Sequence, residues 1–183
     1  LGTLEELAKN PKVLAIGEVG LDFYRDLSPR DKQKEVFSTM IDLALASALP
    51  VVIHERDAAA DLTAVFDSML GGTDHRILFH CFSGAPHILE WGMSRKTVMF
   101  SFAGNVTYPK ATQLHEALAQ IPAERLFIET DCPYLAPVPV RGKQNEPSYM
   151  PHTAEYVAGV KNISKEALAE QLELNFTAFF RVQ

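Results

Sequence analysis

A parallel α/β fold is predicted by three features of the sequence. Short continuous apolar runs (Val13–Ile16, Val51–Ile53, Ile77–Phe79, Val98–Phe102, Leu126–Ile128) alternate with longer stretches whose apolar residues recur every three or four positions. Four of the five runs stop at a residue that binds metals or moves protons: Glu18, His54, His80 and Asp131. After the last run comes a long Pro-rich loop from Glu129 to Pro147. Continuous apolar strands separated by helices imply parallel pairing, with the sheet either covered by helices on both faces or closed into a barrel. In both arrangements the active site lies at the carboxyl ends of the strands.

Taken in order, Leu4–Lys9 reads as a short helix closed by Asn10 and Pro11. The first strand is the apolar run Val13–Ile16, ending at Gly17 and Glu18. Ser28 offers an N-cap, with Pro29 at the first helical position, and Phe37, Met40, Ile41, Ala44, Leu45 and Ala48 mark the buried stripe of a helix that Pro50 breaks. Val51–Ile53 is a buried strand ending at His54. Asp57 is placed to cap the next helix, which carries Leu62, Val65, Phe66 and Met69 on one face and ends at Gly71 and Gly72. Ile77–Phe79 ends at His80, and Pro86 opens a short helix through Trp91. Val98–Phe102 leads to a helix opened by Pro109, with Leu114, Leu118 and Ile121 inward. Beyond the long loop, helices are expected from Tyr149 to Val160 and, capped by Ser164, from Lys165 to Phe180.

One domain is expected from 183 residues, of which 47% are apolar. The net charge of -6 argues against binding nucleic acid through bulk electrostatics, so bound cations would have to neutralise a polyanionic substrate. No stretch has the length of a membrane span and no basic-then-apolar leader opens the chain, which points to a soluble, cytoplasmic protein. Cys81 and Cys132 stand beside candidate ligands and outside any disulfide-framework spacing, so a reducing compartment is expected. The chain opens on Leu1 rather than methionine, as a fragment or processed chain would.

With 23 acidic residues and 6 histidines among 183, chance is a poor explanation for acids and histidines at four of five strand ends. His54 and His80, as a pair with carboxylates nearby, are a ligand set for zinc or a similar divalent ion, although either alone also reads as a hydrogen-bonded structural histidine. Glu18, between small neighbours in IGEVGLD, has two oxygens and could bridge two cations; its other reading is a salt bridge at the rim. Asp131 could be ligand, proton acceptor, or both. Glu129, two residues earlier, would face the same way and orient a partner. Arg141, Lys143 and Asn145 on the long loop could hold phosphate oxygens, Arg141 with a bidentate grip. Ser83 and Gly84 offer a hydroxyl and backbone amides to an oxyanion. Arg56 with Asp57 is either an anchor for substrate or part of a helix cap.

Five ordered blocks, IGEVGLDF (Ile16–Phe23), PVVIHERDA (Pro50–Ala58), HCFSG (His80–Gly84), FIETDCPYLAP (Phe127–Pro137) and RGKQNEP (Arg141–Pro147), together resemble the TatD family of metal-dependent deoxyribonucleases. Asn175 with Phe179 also suits that family's closing helix. The resemblance implies a TIM-type (β/α) barrel, a centre of two divalent ions (Mg, Mn or Zn), and hydrolysis of phosphodiester bonds from DNA ends. It implies that Glu18 bridges the ions, that His54 and His80 complete one site, and that Asp131 holds the other and activates water. Tyr134, within the fourth block, joins Arg56, Ser83, Gly84, Arg141 and Asn145 as a substrate contact. DNA is then the partner, with no obligate protein partner. Family members begin with a strand bearing a His-x-His pair, which this chain lacks before Glu18. Five strands where a closed barrel has eight imply that about a quarter of the barrel is missing at the N-terminus. Two other readings use the same residues: a barrel hydrolase of small amides, lactones or phosphotriesters, and an inactive remnant that acts as a binding unit.

Overall fold

In the computed structural model of the chain, which describes residues 1–182, five strands form one parallel sheet whose spatial order is the order of the sequence. They are β1 (Ile16–Asp22), β2 (Val51–Arg56), β3 (Ile77–Phe79), β4 (Val98–Phe102) and β5 (Leu126–Ile128). Helix α1 (Gly2–Ala8) precedes β1. Helices α2 (Arg30–Ser47), α3 (Ala59–Leu70), α4 (Pro86–Met93) and α5 (Thr112–Gln120) connect successive strands, and α6 (Met150–Lys161) and α7 (Lys165–Phe180) follow β5. Neighbouring strands joined in turn by crossover helices are the arrangement of a TIM-type α/β barrel.

Alternation along the strands divides the apolar residues between two faces. Val51, Ile53, Ile77, Phe79, Val98, Phe100 and Leu126 belong to the main core with Ile41, Phe66, Ile88, Leu118 and Val157 from the helices. Its centre is aromatic, with Phe66 stacked on Trp91 at 5.1 Å and Phe79 on Phe100 at 5.8 Å. The intervening residues Leu78, Met99 and Phe127 form a second cluster with Phe179, against which Val52, Leu172 and Phe180 pack. Helix α7 therefore covers the other face of the sheet. The buried Asn175 anchors it, donating to the carbonyls of Ala123 and Leu126 at 2.8 Å each. Arg125 closes the opposite corner: its guanidinium donates to the carbonyls of Gly92 and Met93 at the end of α4, of Arg95 in the turn that follows, and of Val98 at the start of β4.

The strand boundaries of β3, β4 and β5 and the whole of α7 agree with the sequence expectation. The first strand does not. It begins at Ile16 and runs to Asp22, so Glu18 lies inside it, because Gly20, Leu21 and Asp22 continue the ladder opposite His54, Glu55 and Arg56. For the same reason β2 extends past His54 to Arg56. The register shifts between Ile16 and Val19, an irregularity of the kind that re-aims a side chain, and Glu18 sits within it. At Gly20 a Cβ would lie 1.8 Å from the His54 carbonyl oxygen, so only glycine permits this approach of β1 to β2. Neither expected cap on the early helices forms. Helix α2 starts at Arg30 with Pro29 as its N-cap residue, and the backbone of Ala58 before α3 donates to Glu55, not to Asp57. Helix α5 starts at Thr112 rather than Pro109, after a 3-10 turn over Gly104–Thr107.

Candidate metal centre

Three adjacent strands deliver one donor each to a single point. Glu18 comes from the irregular part of β1, His54 from β2, and His80 from the residue after β3. Glu18 Oε1 lies 2.9 Å from His54 Nδ1 and 3.3 Å from His80 Nε2. One ligand atom from each of the three falls within 4.8 Å of the others. Ligands about 2.0–2.2 Å from a common ion stand roughly 3–4 Å apart, so the residues present fit a divalent cation.

The two remaining ring nitrogens are also held. His54 Nε2 lies 3.2 Å from Asp22 Oδ2, and His80 Nδ1 lies 3.0 Å from Glu129 Oε2. Each carboxylate is itself fixed from behind. Glu129 Oε1 accepts the backbone N–H of Cys81, while Asp22 Oδ1 accepts those of Tyr24 at 3.1 Å and Arg25 at 2.8 Å. Gln33 of α2 brackets Asp22, accepting its N–H at 3.0 Å and donating to its carbonyl at 3.3 Å and to that of Ser28 at 2.8 Å. Histidine ligands of metals commonly carry such a carboxylate on the far nitrogen, which sets tautomer and ring orientation. Glu129 thus stands where an orienting partner was expected. The sequence reading missed Asp22 and Gln33. Asp22 had one usable signal, being four residues from Glu18 on a strand and so on the same face.

The other expected residues divide by what they touch. Asp131 lies outside the triplet, just past β5, and its charge acts on both His80 and His54. Arg56 ends β2 on the same rim, its guanidinium 3.9 Å from the ring centre of Tyr24. Arg141 is exposed and stacks over Tyr108 at 4.1 Å, and Tyr134 is 63% exposed. Ser83 is exposed and donates to Glu55 at 3.2 Å, and Gly84 is buried with space for no Cβ against the backbone of Gln113. Asn145 departs from expectation. It is buried, and its amide donates to the carbonyls of Thr130 and Tyr134, which makes it a brace within the long loop and leaves no donor for phosphate. An open cleft of about 350 Å³ adjoins the centre, lined by Glu18, Asp22, His54, Arg25, Leu27 and Gln33 among others.

The sequence profile described as TatD related DNase matches residues 1–181. The chain belongs to that family. It is 41% identical to YabD of Bacillus subtilis, named an uncharacterized metal-dependent hydrolase, over 100% of this chain and 71% of the relative. A protein of Erwinia billingiae named 3'-5' ssDNA/RNA exonuclease TatD is 36% identical over 98% of this chain and 70% of its own length. Among solved structures, the TatD homologue YjjV of Escherichia coli superposes with a TM-score of 0.85 over 100% of this chain and 70% of that one, at 24% identity, a likeness of fold. This TatD-family chain is therefore of the metal-dependent hydrolase type, with a TIM-type fold. No helix among the described residues is long and apolar enough to cross a membrane.

Charge within this TatD-family centre is tightly coupled. Burial disfavours the charged form of His80, but the hydrogen bond and charge of Glu129, with Glu18 and Asp131 beyond, outweigh it and raise the pKa above the ordinary histidine value. Asp131 is also raised, by burial first and then by Glu129 and Glu18, against the lowering effect of the histidines. Asp22 goes the other way: burial raises it, yet the Arg25 N–H, His54 and Arg56 together bring it below the usual carboxylate value.

Proposed function

We propose that this TatD-family chain is a divalent-metal-dependent phosphodiesterase that shortens DNA strands from the 3′ end, with a centre of two ions. The observation that carries the reading is the convergence of Glu18, His54 and His80 on one point at the carboxyl ends of the strands, the end of the sheet at which Asp131 follows β5. The name of the Erwinia relative supports a single-stranded nucleic acid as substrate. Glu18, His54 and His80 would hold the first ion. Both histidines approach Oε1 of Glu18, and Oε2 makes no hydrogen bond among the described residues; Glu18 and Asp131 would hold a second ion. Bound there, divalent ions supply a positive centre that polarises the phosphoryl oxygen and brings the pKa of water toward neutrality. Asp131 would accept the proton of the attacking water, as a carboxylate beside the centre can. Glu129 keeps the His80 ring from turning as charge moves. On the rim, Arg56 and Arg141 grip the phosphates on either side of the bond being broken.

The test is hydrolysis of a 5′-labelled single-stranded oligonucleotide with Mg²⁺ or Mn²⁺, with chelator, and with Asp131→Asn. Metal-dependent stepwise shortening that the variant lacks is the expected result. A variant that cleaves at the normal rate would remove Asp131 from the mechanism, and no cleavage of any strand by the wild type would refute the nuclease reading.

A further inference from the structure

Beside the metal centre stands an exposed aromatic ring for which packing gives no reason. Tyr24 follows β1 by two residues and is 64% exposed. One face of its ring is covered by the guanidinium of Arg56 at 3.9 Å, which leaves the other face to solvent. Both residues are tied to the centre. Arg56 lies two residues beyond His54 and is the register partner of Asp22, and the Tyr24 N–H donates to the Asp22 carboxylate that also holds His54. Neither Arg56 nor Arg25 forms an ion pair among the described residues, although the chain has six more acidic than basic residues. Arg25 and the 87% exposed Leu27 wall the cleft that Glu18 and His54 floor.

Resting on the nuclease reading above, we propose that Tyr24, backed by Arg56, is a stacking platform for an unpaired nucleobase next to the bond being hydrolysed, with Arg25 and Arg56 as cations for the adjoining phosphates. An acidic protein gains nothing from bulk attraction to a polyanion, so affinity has to come from local contacts. Stacking on an aromatic ring is such a contact and tolerates any base, since every base has a π-face. The guanidinium beneath Tyr24 holds the ring in place before the ligand arrives, which lowers the ordering cost of binding. A base inside a duplex has both faces covered, so the platform selects single strands.

The experiment compares an oligothymidine with an abasic strand of equal length. Both carry phosphorothioate linkages, and binding is read by fluorescence anisotropy in Mg²⁺, with hydrolysis of the native oligothymidine followed in parallel. Wild type is expected to bind the base-bearing strand roughly tenfold or more tightly, as one stacked base would give. Tyr24→Ala is expected to bind both strands alike, Tyr24→Phe to keep the preference, and Arg56→Lys to lose part of it, because lysine keeps the charge without the planar stack. If wild type hydrolyses the strand but Tyr24→Ala keeps the full preference for bases, the platform is refuted and the nuclease reading stands. If wild type neither binds nor cleaves either strand, that reading falls and the platform with it.

Discussion

His54 offers Nδ1 and His80 offers Nε2 to the same Glu18 oxygen, and each nitrogen is a ligand only when its proton sits on the other side of the ring. Asp22 and Glu129 supply the acceptors that keep the protons there. Asp22→Ala is therefore expected to weaken Mn²⁺ binding by about 10- to 100-fold in calorimetric titration, with the circular dichroism spectrum unchanged. Unaltered affinity would show that His54 needs no such partner. The pH dependence follows from His80, whose pKa in the fold lies above its unfolded value of about 6.5. Its contribution to the stability of the metal-free chain is present in full below about pH 6.5 and is lost as pH rises through the folded value. Metal needs the unprotonated ring, so affinity moves oppositely and grows as pH rises through that same value. Melting curves in chelator and Mn²⁺ titrations across this range should show the two opposite trends. Glu129→Gln should move both midpoints to lower pH. Glu18, His54 and His80 were legible in the sequence because each interrupts an apolar stretch where packing gives no reason for a charge. Asp22 was not, since the first strand was expected to end at Glu18, which leaves the face that the two residues share out of view. Asn145 was misread because a polar residue in a long loop looks the same whether it meets a ligand or braces the chain.

At the scale of elements, the three strands named correctly end where their apolar runs end, whereas β1 and β2 continue through residues whose side chains belong to the site. A backbone ladder needs only N–H and C=O groups, so hydrophobic patterning cannot see Gly20–Asp22 pairing with His54–Arg56. The same pairing makes Gly20 a sensitive position. Gly20→Ala must push β1 from β2 at the His54 carbonyl, with an expected loss of about 2 kcal/mol or more in urea denaturation. Metal affinity should fall with it, because the displaced segment carries both Glu18 and Asp22. A variant as stable as wild type would mean that the strands separate there without cost. Arg125 gives a prediction remote from the site. Its planar guanidinium serves four carbonyls at the end of α4 and the start of β4. Arg125→Lys retains the charge but not the fork, and a loss of about 2 kcal/mol is expected. Metal binding should be unaffected. This cap leaves no mark on the residue pattern, since its acceptors are all backbone.

For the molecule as a whole the question is how a chain of net charge -6 holds a polyanion. Many of its cations are already engaged. Lys9, Arg30, Lys32, Lys34 and Arg95 pair with carboxylates, while Arg76, Arg125 and Lys161 donate to backbone carbonyls within the fold. At the carboxyl ends of the strands and on the long loop, Arg25, Arg56 and Arg141 form no ion pair among the described residues, and the last two are fixed against Tyr24 and Tyr108. A strand bound there would meet few cations and the aromatic platform of Tyr24. Salt dependence measures this directly, because each phosphate neutralised on a single strand contributes about 0.7 to the slope of log K against log salt. Three arginine contacts predict a slope of roughly -2 for an oligonucleotide in anisotropy titrations over a range of KCl at fixed Mg²⁺. Arg56→Ala should make that slope shallower by about 0.7, whereas Tyr24→Ala should weaken binding without changing it. A wild-type slope steeper than about -5 would place the strand on a broad basic surface, and the arginine-and-tyrosine rim would then not be where the strand is held.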